Sequence, residues 1–220
     1  MKVNPNTLSL SQKRLFFEGR CKHRHTYSEH PSCFVTEQLS NLKEGYLDIE
    51  TTGFEANYHH MLTWVIKVKG EKTYYTGEIT KKDLESGRFD ERICKELIDA
   101  LNKFDVIYTY YGTGFDIPFM RARALRYSLP FPEFGYIQHK DLYYAVRRLL
   151  KLNRKSLEVA TRFLGIPGKN HVLGEPWMLA RIGDKKSLNY VMKHNKLDCE
   201  ILEKLHDKLR PFFKATTKTI

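Results

Sequence analysis

Gly45-Tyr46-Leu47-Asp48-Ile49-Glu50-Thr51-Thr52-Gly53 is the stretch whose reading decides the fold. Tyr46 to Ile49 is a short apolar run that passes into polar residues and then a breaker. A buried strand ending at an open edge is expected there. Asp48 and Glu50 flank Ile49, so strand alternation sends both side chains to the same sheet face. Two carboxylates on one face repel each other unless a cation lies between them. The ordinary alternative is an exposed strand end with two solvated acids.

Outward from this strand, Leu62 to Lys69 alternates, with Trp64, Ile66 and Val68 against Val65, Lys67 and Lys69. Gly70 turns the chain into a third strand, Thr73 to Ile79, completing a hairpin. Ile93, Leu97, Leu101 and Phe104 recur at helical spacing within Asp90 to Phe104. Val106 to Tyr110 is a short β-prone run. Asp116 to Tyr127, Asp141 to Leu150, Ser156 to Leu164 and Ser187 to Arg210 read as helices, the last stopped by Pro211. The order implies an α/β fold: three antiparallel strands, then parallel pairing, with helices against a mixed sheet. A site is expected at the carboxyl end of the sheet. Residues 1–38 are polar, rich in Cys and His and without periodicity, and read as an N-terminal extension. Residues 39–213 read as the globular domain and 214–220 as a tail.

The chain of 220 residues can bury a core without disulfides. With 41% hydrophobic and 29% charged residues it is globular in composition rather than disordered. Lys plus Arg number 37 against 26 Asp plus Glu, a formal charge of +11. A fold has no need of that excess, and it favours a polyanionic partner such as nucleic acid. Cys21, Cys33, Cys94 and Cys199 are too few and scattered for a disulfide scaffold, so a reducing, cytoplasmic setting is expected. Met1 to Leu10 lacks the pattern of a secretory signal, and no apolar run approaches a membrane span.

Two further acids stand out. Leu188, Val191, Asn195, Asp198, Leu202, Leu205 and Leu209 follow a 3-4 spacing that defines one inward helix face. Asp198 sits in the middle of that face, where an ionised side chain must be paired, protonated or metal-bound. Asp116 lies in Gly114-Phe115-Asp116-Ile117-Pro118, just past a strand and at the start of a helix, where an ordinary N-cap would equally explain it. Four carboxylates converging from a strand, a helix start and a late helix are what a two-metal phosphoryl-transfer site needs. Cations roughly 4 Å apart activate water and stabilise a leaving oxygen, and hard oxygen ligands favour Mg²⁺ or Mn²⁺.

Leu47-Asp48-Ile49-Glu50-Thr51-Thr52-Gly53 resembles the first motif of the DEDD superfamily of 3′–5′ exonucleases, which have the RNase H-like fold. Phe115-Asp116-Ile117-Pro118 resembles the second motif, as written in family B DNA polymerase proofreading domains, and His194-Asn195-Lys196-Leu197-Asp198 resembles the third. The likeness runs from about Gly45 to Arg210 and is strongest to small stand-alone exonuclease domains. It implies that Asp48, Glu50, Asp116 and Asp198 bind two Mg²⁺ or Mn²⁺ ions. It also implies that His194 is the general base, and that nucleoside 5′-monophosphates leave from a 3′ end. It points to Thr51, Thr52, Gly53, Phe115 and Tyr111 as substrate contacts. The chain departs from the pattern twice. His194 precedes Asp198 by four residues, the spacing of the family's tyrosine branch, which leaves Tyr190 as an alternative base. Tyr111 stands where the polymerase domains carry Asn.

Cys21, His23, His25, His30 and Cys33 crowd into 13 residues. Cys21, His25, His30 and Cys33 could close one zinc site; a polar loop is the alternative. Basic residues gather at Arg121, Arg123 and Arg126, at Arg147, Arg148, Lys151, Arg154 and Lys155, and at Lys185 and Lys186. Tyr108, Tyr110, Tyr111, Tyr143 and Tyr144 are near in sequence, a combination that suits a single-stranded nucleic acid. The leading expectation is a 3′–5′ exonuclease on single-stranded DNA or RNA. The rivals are a nucleic-acid-binding adaptor with an idle nuclease fold, and an endonuclease on the same fold.

Overall fold

Strand β1 (Glu44–Thr51) is the middle member of a sheet ordered β3-β2-β1-β4-β5. The computed structural model describes residues 3, 5–39, 42–168 and 174–213. β2 (Met61–Val68) runs antiparallel to β1, with Asp48 opposite Val65 and Glu50 opposite Thr63, and the register shifts between Glu50 and Thr51. β3 (Tyr74–Glu78) continues the antiparallel hairpin. On the other side β4 (Val106–Thr109) is parallel to β1, and β5 (Gln138–Asp141) is parallel to β4. The β1–β4 pairing covers only Glu44 to Tyr46. The carboxyl half of β1, which carries the two acids, therefore runs on beyond its parallel neighbour.

Nine α-helices lie among the described residues. In the N-terminal segment they are α1 (Leu10–Glu18) and α2 (Pro31–Phe34); in the domain, α3 (Lys81–Glu85), α4 (Glu91–Leu101), α5 (Asp116–Arg126), α6 (Leu142–Leu149), α7 (Leu157–Phe163), α8 (Gly174–Ala180) and α9 (Lys185–Leu209). None is long and apolar enough to cross a membrane.

Strand alternation separates two cores. Leu47 and Ile49 share one with Trp64, Ile66, the α4 residues Ile93, Leu97 and Leu101, and Phe119 of α5. Tyr46 and Val65 join the other, with Leu142 of α6 and Cys199 and Leu202 of α9. Helices thus cover both faces, as expected of the RNase H-like mixed sheet. Asp48 and Glu50 share the side of Tyr46, the α9 side. Leu188, Val191, Asn195, Asp198, Leu202, Leu205 and Leu209 are all buried, so the inward face read from their spacing is real.

α9 is fastened across β2 by Asn195 Nδ2 donating to Thr63 Oγ1 at 3.0 Å and by Lys67 Nζ to Glu203 Oε2 at 2.5 Å. On the opposite side a buried ion pair joins Arg123 of α5 to Asp90, the residue before α4. Asp90 also accepts from the Met61 amide (2.8 Å), and Arg123 donates to the Ala56 carbonyl (2.9 Å). The loop after β1 is thereby tied to both helices. Arg123 was expected on a basic surface. Its burial with a carboxylate partner removes it from that surface, since a buried guanidinium must be paired.

The hairpin, β4 and helices α4 to α7 and α9 fall where the sequence places them. β5 was not expected: Gln-His-Lys-Asp has neither alternation nor apolar content. Its strand state comes from pairing with β4. The short α3 and α8 also lacked a periodic signal.

The N-terminal extension is folded. Ser9 and Gln12 form a capping box on α1. Leu8, Phe16, Cys21, Tyr27, Cys33 and Phe34 make a small core of their own. The segment docks beside β5: the Leu10 amide donates to the Gly135 carbonyl at 2.5 Å, and Gln138 Nε2 donates to Gln12 Oε1 at 3.0 Å. One residue of the expected zinc set changes. The structure gathers Cys21, His23, His30 and Cys33, and His25 is outside that group. The chain reverses at Arg24, which has φ +69, and this fold-back brings His23 to its neighbour's sulfur. Linear spacing cannot show such a reversal. The 214–220 tail lies outside the described residues.

Candidate active site

The site forms where β1 outruns β4. The chain leaves β4 after Thr109, loops through Gly112 and Gly114 and enters α5 at Asp116, on the same sheet end as the carboxyl half of β1. Asp116 is the first residue of α5, one past the N-cap Phe115, and its carboxyl accepts from its own amide. Its Oδ1 also accepts from the Ile49 amide at 3.3 Å, crossing to the strand between Asp48 and Glu50. A helix-start role alone therefore does not account for this residue.

α9 supplies the opposing wall. Ligand atoms of Glu50, His194 and Asp198 all lie within 4.8 Å of one another. His194 Nε2 is 3.5 Å from Asp198 Oδ2, one helical turn away. Asp48 and Asp116 stand beside this set rather than within it. The buried Cys199 thiol relates them: its pKa is pushed up by burial and then by the charges of Asp48, Asp198 and Asp116. Burial also drives the Asp116 carboxyl up, to about 7, with the negative charge of Asp141 adding to it. The gathered donor set is two carboxylates and an imidazole, Glu50, Asp198 and His194, with the carboxylates of Asp48 and Asp116 nearby. That chemistry fits hard divalent cations, which would relieve both the desolvation and the mutual repulsion.

The residues expected to meet substrate have distinct local jobs. Thr51 Oγ1 donates to the Gly53 carbonyl at 2.7 Å, and Thr52 Oγ1 accepts from the His60 amide at 3.1 Å. These bonds shape the turn leaving β1. A Cβ on Gly53 would come within 2.4 Å of the His59 ring, which would have to move aside for any other residue. Phe115 is half-buried with Phe54 against it at 6.0 Å, edge to face. Phe54 is 81% exposed. Tyr111 is exposed, adopts φ +63 and packs edge-on to Tyr143 at 4.9 Å. The Tyr190 ring meets Trp177 of α8 at 5.9 Å, and His194 meets the same indole at 5.3 Å. His194 belongs to the set with Glu50 and Asp198.

Three residues at the site escaped sequence reading. Asp141 accepts from the Tyr111 amide (2.8 Å), the Thr113 amide (2.9 Å) and the Tyr143 amide (3.0 Å). It caps α6 and holds the loop that delivers Asp116. Its place before a helix was visible; its long-range bonds were not. Arg181, exposed after α8, donates to the Thr52 carbonyl. Phe54 carried no pattern of its own. Conversely, Tyr108 is buried against Tyr46 at 5.2 Å and belongs to the core, not to a stacking surface. Arg121, Arg126, Arg147, Arg148, Lys151 and Arg154 remain exposed.

Comparison with known proteins places the fold. A DNA polymerase of Methanocaldococcus jannaschii is 33% identical over 108 residues, covering 40% of this chain and 7% of that protein. The structure of the family B DNA polymerase from the hyperthermophilic archaeon Pyrobaculum calidifontis superposes with a TM-score of 0.64 at 20% identity, over 78% of this chain and 25% of that one. The chain thus spans only a small part of either polymerase, and the second likeness is one of fold. The family model described as the RNase_H superfamily matches residues 45–210, so this chain belongs to the RNase H superfamily.

Proposed function

We propose that this chain is a divalent-metal-dependent 3′–5′ exonuclease that hydrolyses single-stranded DNA or RNA to nucleoside 5′-monophosphates. The observation that carries the reading is the convergence of Glu50, His194 and Asp198 within 4.8 Å, beside Asp48 and Asp116. Asp48, Glu50, Asp116 and Asp198 would hold Mg²⁺ or Mn²⁺. Such ions supply Lewis-acid activation of water and charge stabilisation at the leaving oxygen. His194 takes the proton of the attacking water, a task suited to imidazole near neutral pH. Asp198 Oδ2 lies 3.5 Å from His194 Nε2, one helical turn on. The exposed Phe54 ring, backed by Phe115, offers a stacking face to a terminal base. Arg181 and the exposed basic residues draw in the phosphate backbone.

The test is a 5′-end-labelled oligonucleotide incubated with Mn²⁺ or with EDTA, alongside a circular single strand. Progressive shortening with Mn²⁺, an intact circle and 5′-monophosphate products are expected. Asp48→Ala and Asp198→Asn should abolish cleavage with an unchanged circular dichroism spectrum, and His194→Ala should slow it by roughly 10²–10⁴-fold. Cleavage of the circle would make the protein an endonuclease. Retained cleavage in an Asp48→Ala, Asp198→Asn double variant would sink the site assignment. Matched DNA and RNA strands decide the sugar preference.

A further inference from the structure

We infer that the N-terminal segment holds a structural zinc ion, ligated by Cys21 Sγ, His23 Nδ1, His30 Nδ1 and Cys33 Sγ. Ligand atoms of these four residues lie within 4.8 Å of one another, in a segment whose α1 bonds β5 through Gln12 and Gln138. His30 Nδ1 is 3.2 Å and His23 Nδ1 3.4 Å from Cys33 Sγ, and Cys21 Sγ is 3.9 Å from His23 Nδ1. A tetrahedral zinc with Zn–S of about 2.3 Å and Zn–N of about 2.0–2.1 Å spaces sulfur and nitrogen about 3.5 Å apart. The observed separations bracket that value. Two sulfurs and two imidazoles suit zinc and do not suit Mg²⁺ or Mn²⁺, so the two metal sites differ in kind.

The backbone is built around the four side chains. An isolated bridge pairs Arg20 with Thr26, the Cys21 amide donates to the His25 carbonyl (2.9 Å), and the Arg24 amide donates to the Cys21 carbonyl (2.8 Å). This tight turn presents Cys21 and His23 together. His30 and Cys33 come from the start of α2, where the Cys33 amide donates to the His30 carbonyl at 2.9 Å. Both cysteines are free thiols buried in the segment's core, while both histidines are exposed and close the site from outside. That core has six buried apolar side chains. A module so small rarely holds its shape without a staple, and a zinc ion is one.

The full chain, purified under reducing conditions without chelator, should contain about one zinc per molecule by elemental analysis. Co²⁺ exchanged into it should show the visible bands of a tetrahedral ion and a thiolate charge-transfer band. His23→Asn should release the metal, whereas His25→Asn should keep it, and this pair does not disturb the buried cysteines. Cys21→Ser and Cys33→Ser should behave like His23→Asn. Three outcomes would overturn the inference: no zinc together with no uptake on Zn²⁺ titration, zinc retained by the His23→Asn, Cys33→Ser double variant, or iron in place of zinc. None of these readouts depends on nuclease activity.

Discussion

Asp116 is where residue-scale physics is most sharply drawn. Only 4% of it is exposed, and one oxygen accepts from the Ile49 amide. Burial drives its carboxyl up to about 7. The folded protein therefore favours the protonated form more than the unfolded chain does. Sign follows from linkage: the group's contribution to stability is full below about pH 4 and is lost as pH rises through about 7. In EDTA, Asp116→Asn should thus be more stable than the wild type above pH 7, by a margin that shrinks toward pH 4, while losing activity. Thermal melts of the two proteins across that range check this. A margin constant with pH would show that the buried carboxyl does not titrate there. Of the residues at this scale, Asp48, Glu50 and Asp198 were legible because each breaks a regular pattern, acids where alternation or heptad-like spacing calls for apolar groups. Asp116 was ambiguous, since a helix start is an ordinary place for Asp; only its bond to the Ile49 amide shows that it faces β1. Arg181 and Phe54 break no pattern and were invisible.

At the scale of elements, the site is an outcome of unequal strand lengths. β1 continues past β4, and the loop from β4 to α5 fills the gap. Asp141 holds that loop through the Tyr111 and Thr113 amides while capping α6. Asp141→Ala removes a cap and leaves three amides to find other partners. A loss of about 2 kcal/mol in chemical denaturation is expected, with kcat falling more than KM rises because the displaced group is Asp116. The Asp90–Arg123 pair is the contrasting case. Arg123→Ala strands a buried carboxylate and should cost about 3–5 kcal/mol, so its effect is on folding first. If Arg123→Ala proves harmless to stability, the pair is not the tie between α4, α5 and the loop after β1. Periodicity revealed the hairpin and the long helices because their apolar faces are continuous. β5 is polar and exists through its neighbour, so single-sequence reading has nothing to register. The N-terminal segment was likewise read as irregular, because six core residues spread over turns produce no period.

For the whole molecule, the net charge of +11 and the exposed arginines of α5 and α6 belong to one account with the acidic site. On the proposed reading, a basic exterior would gather a polyanion and a small acidic centre would act on it once cations are bound. Affinity of the Asp48→Ala, Asp198→Asn variant for a single strand should fall linearly in log–log terms with salt, by roughly 0.7 per phosphate neutralised. A flat dependence, followed by fluorescence anisotropy, would mean that the charge serves something else. The central claim is narrower: the carboxylates tolerate one another because they hold divalent ions. Titration of the zinc-replete full chain with Mn²⁺, followed by the paramagnetic resonance of the free ion, measures this directly. Saturable uptake by the wild type, abolished in the Asp48→Ala, Asp198→Asn variant, is the predicted result; no uptake, or uptake that the double substitution leaves unchanged, would contradict it.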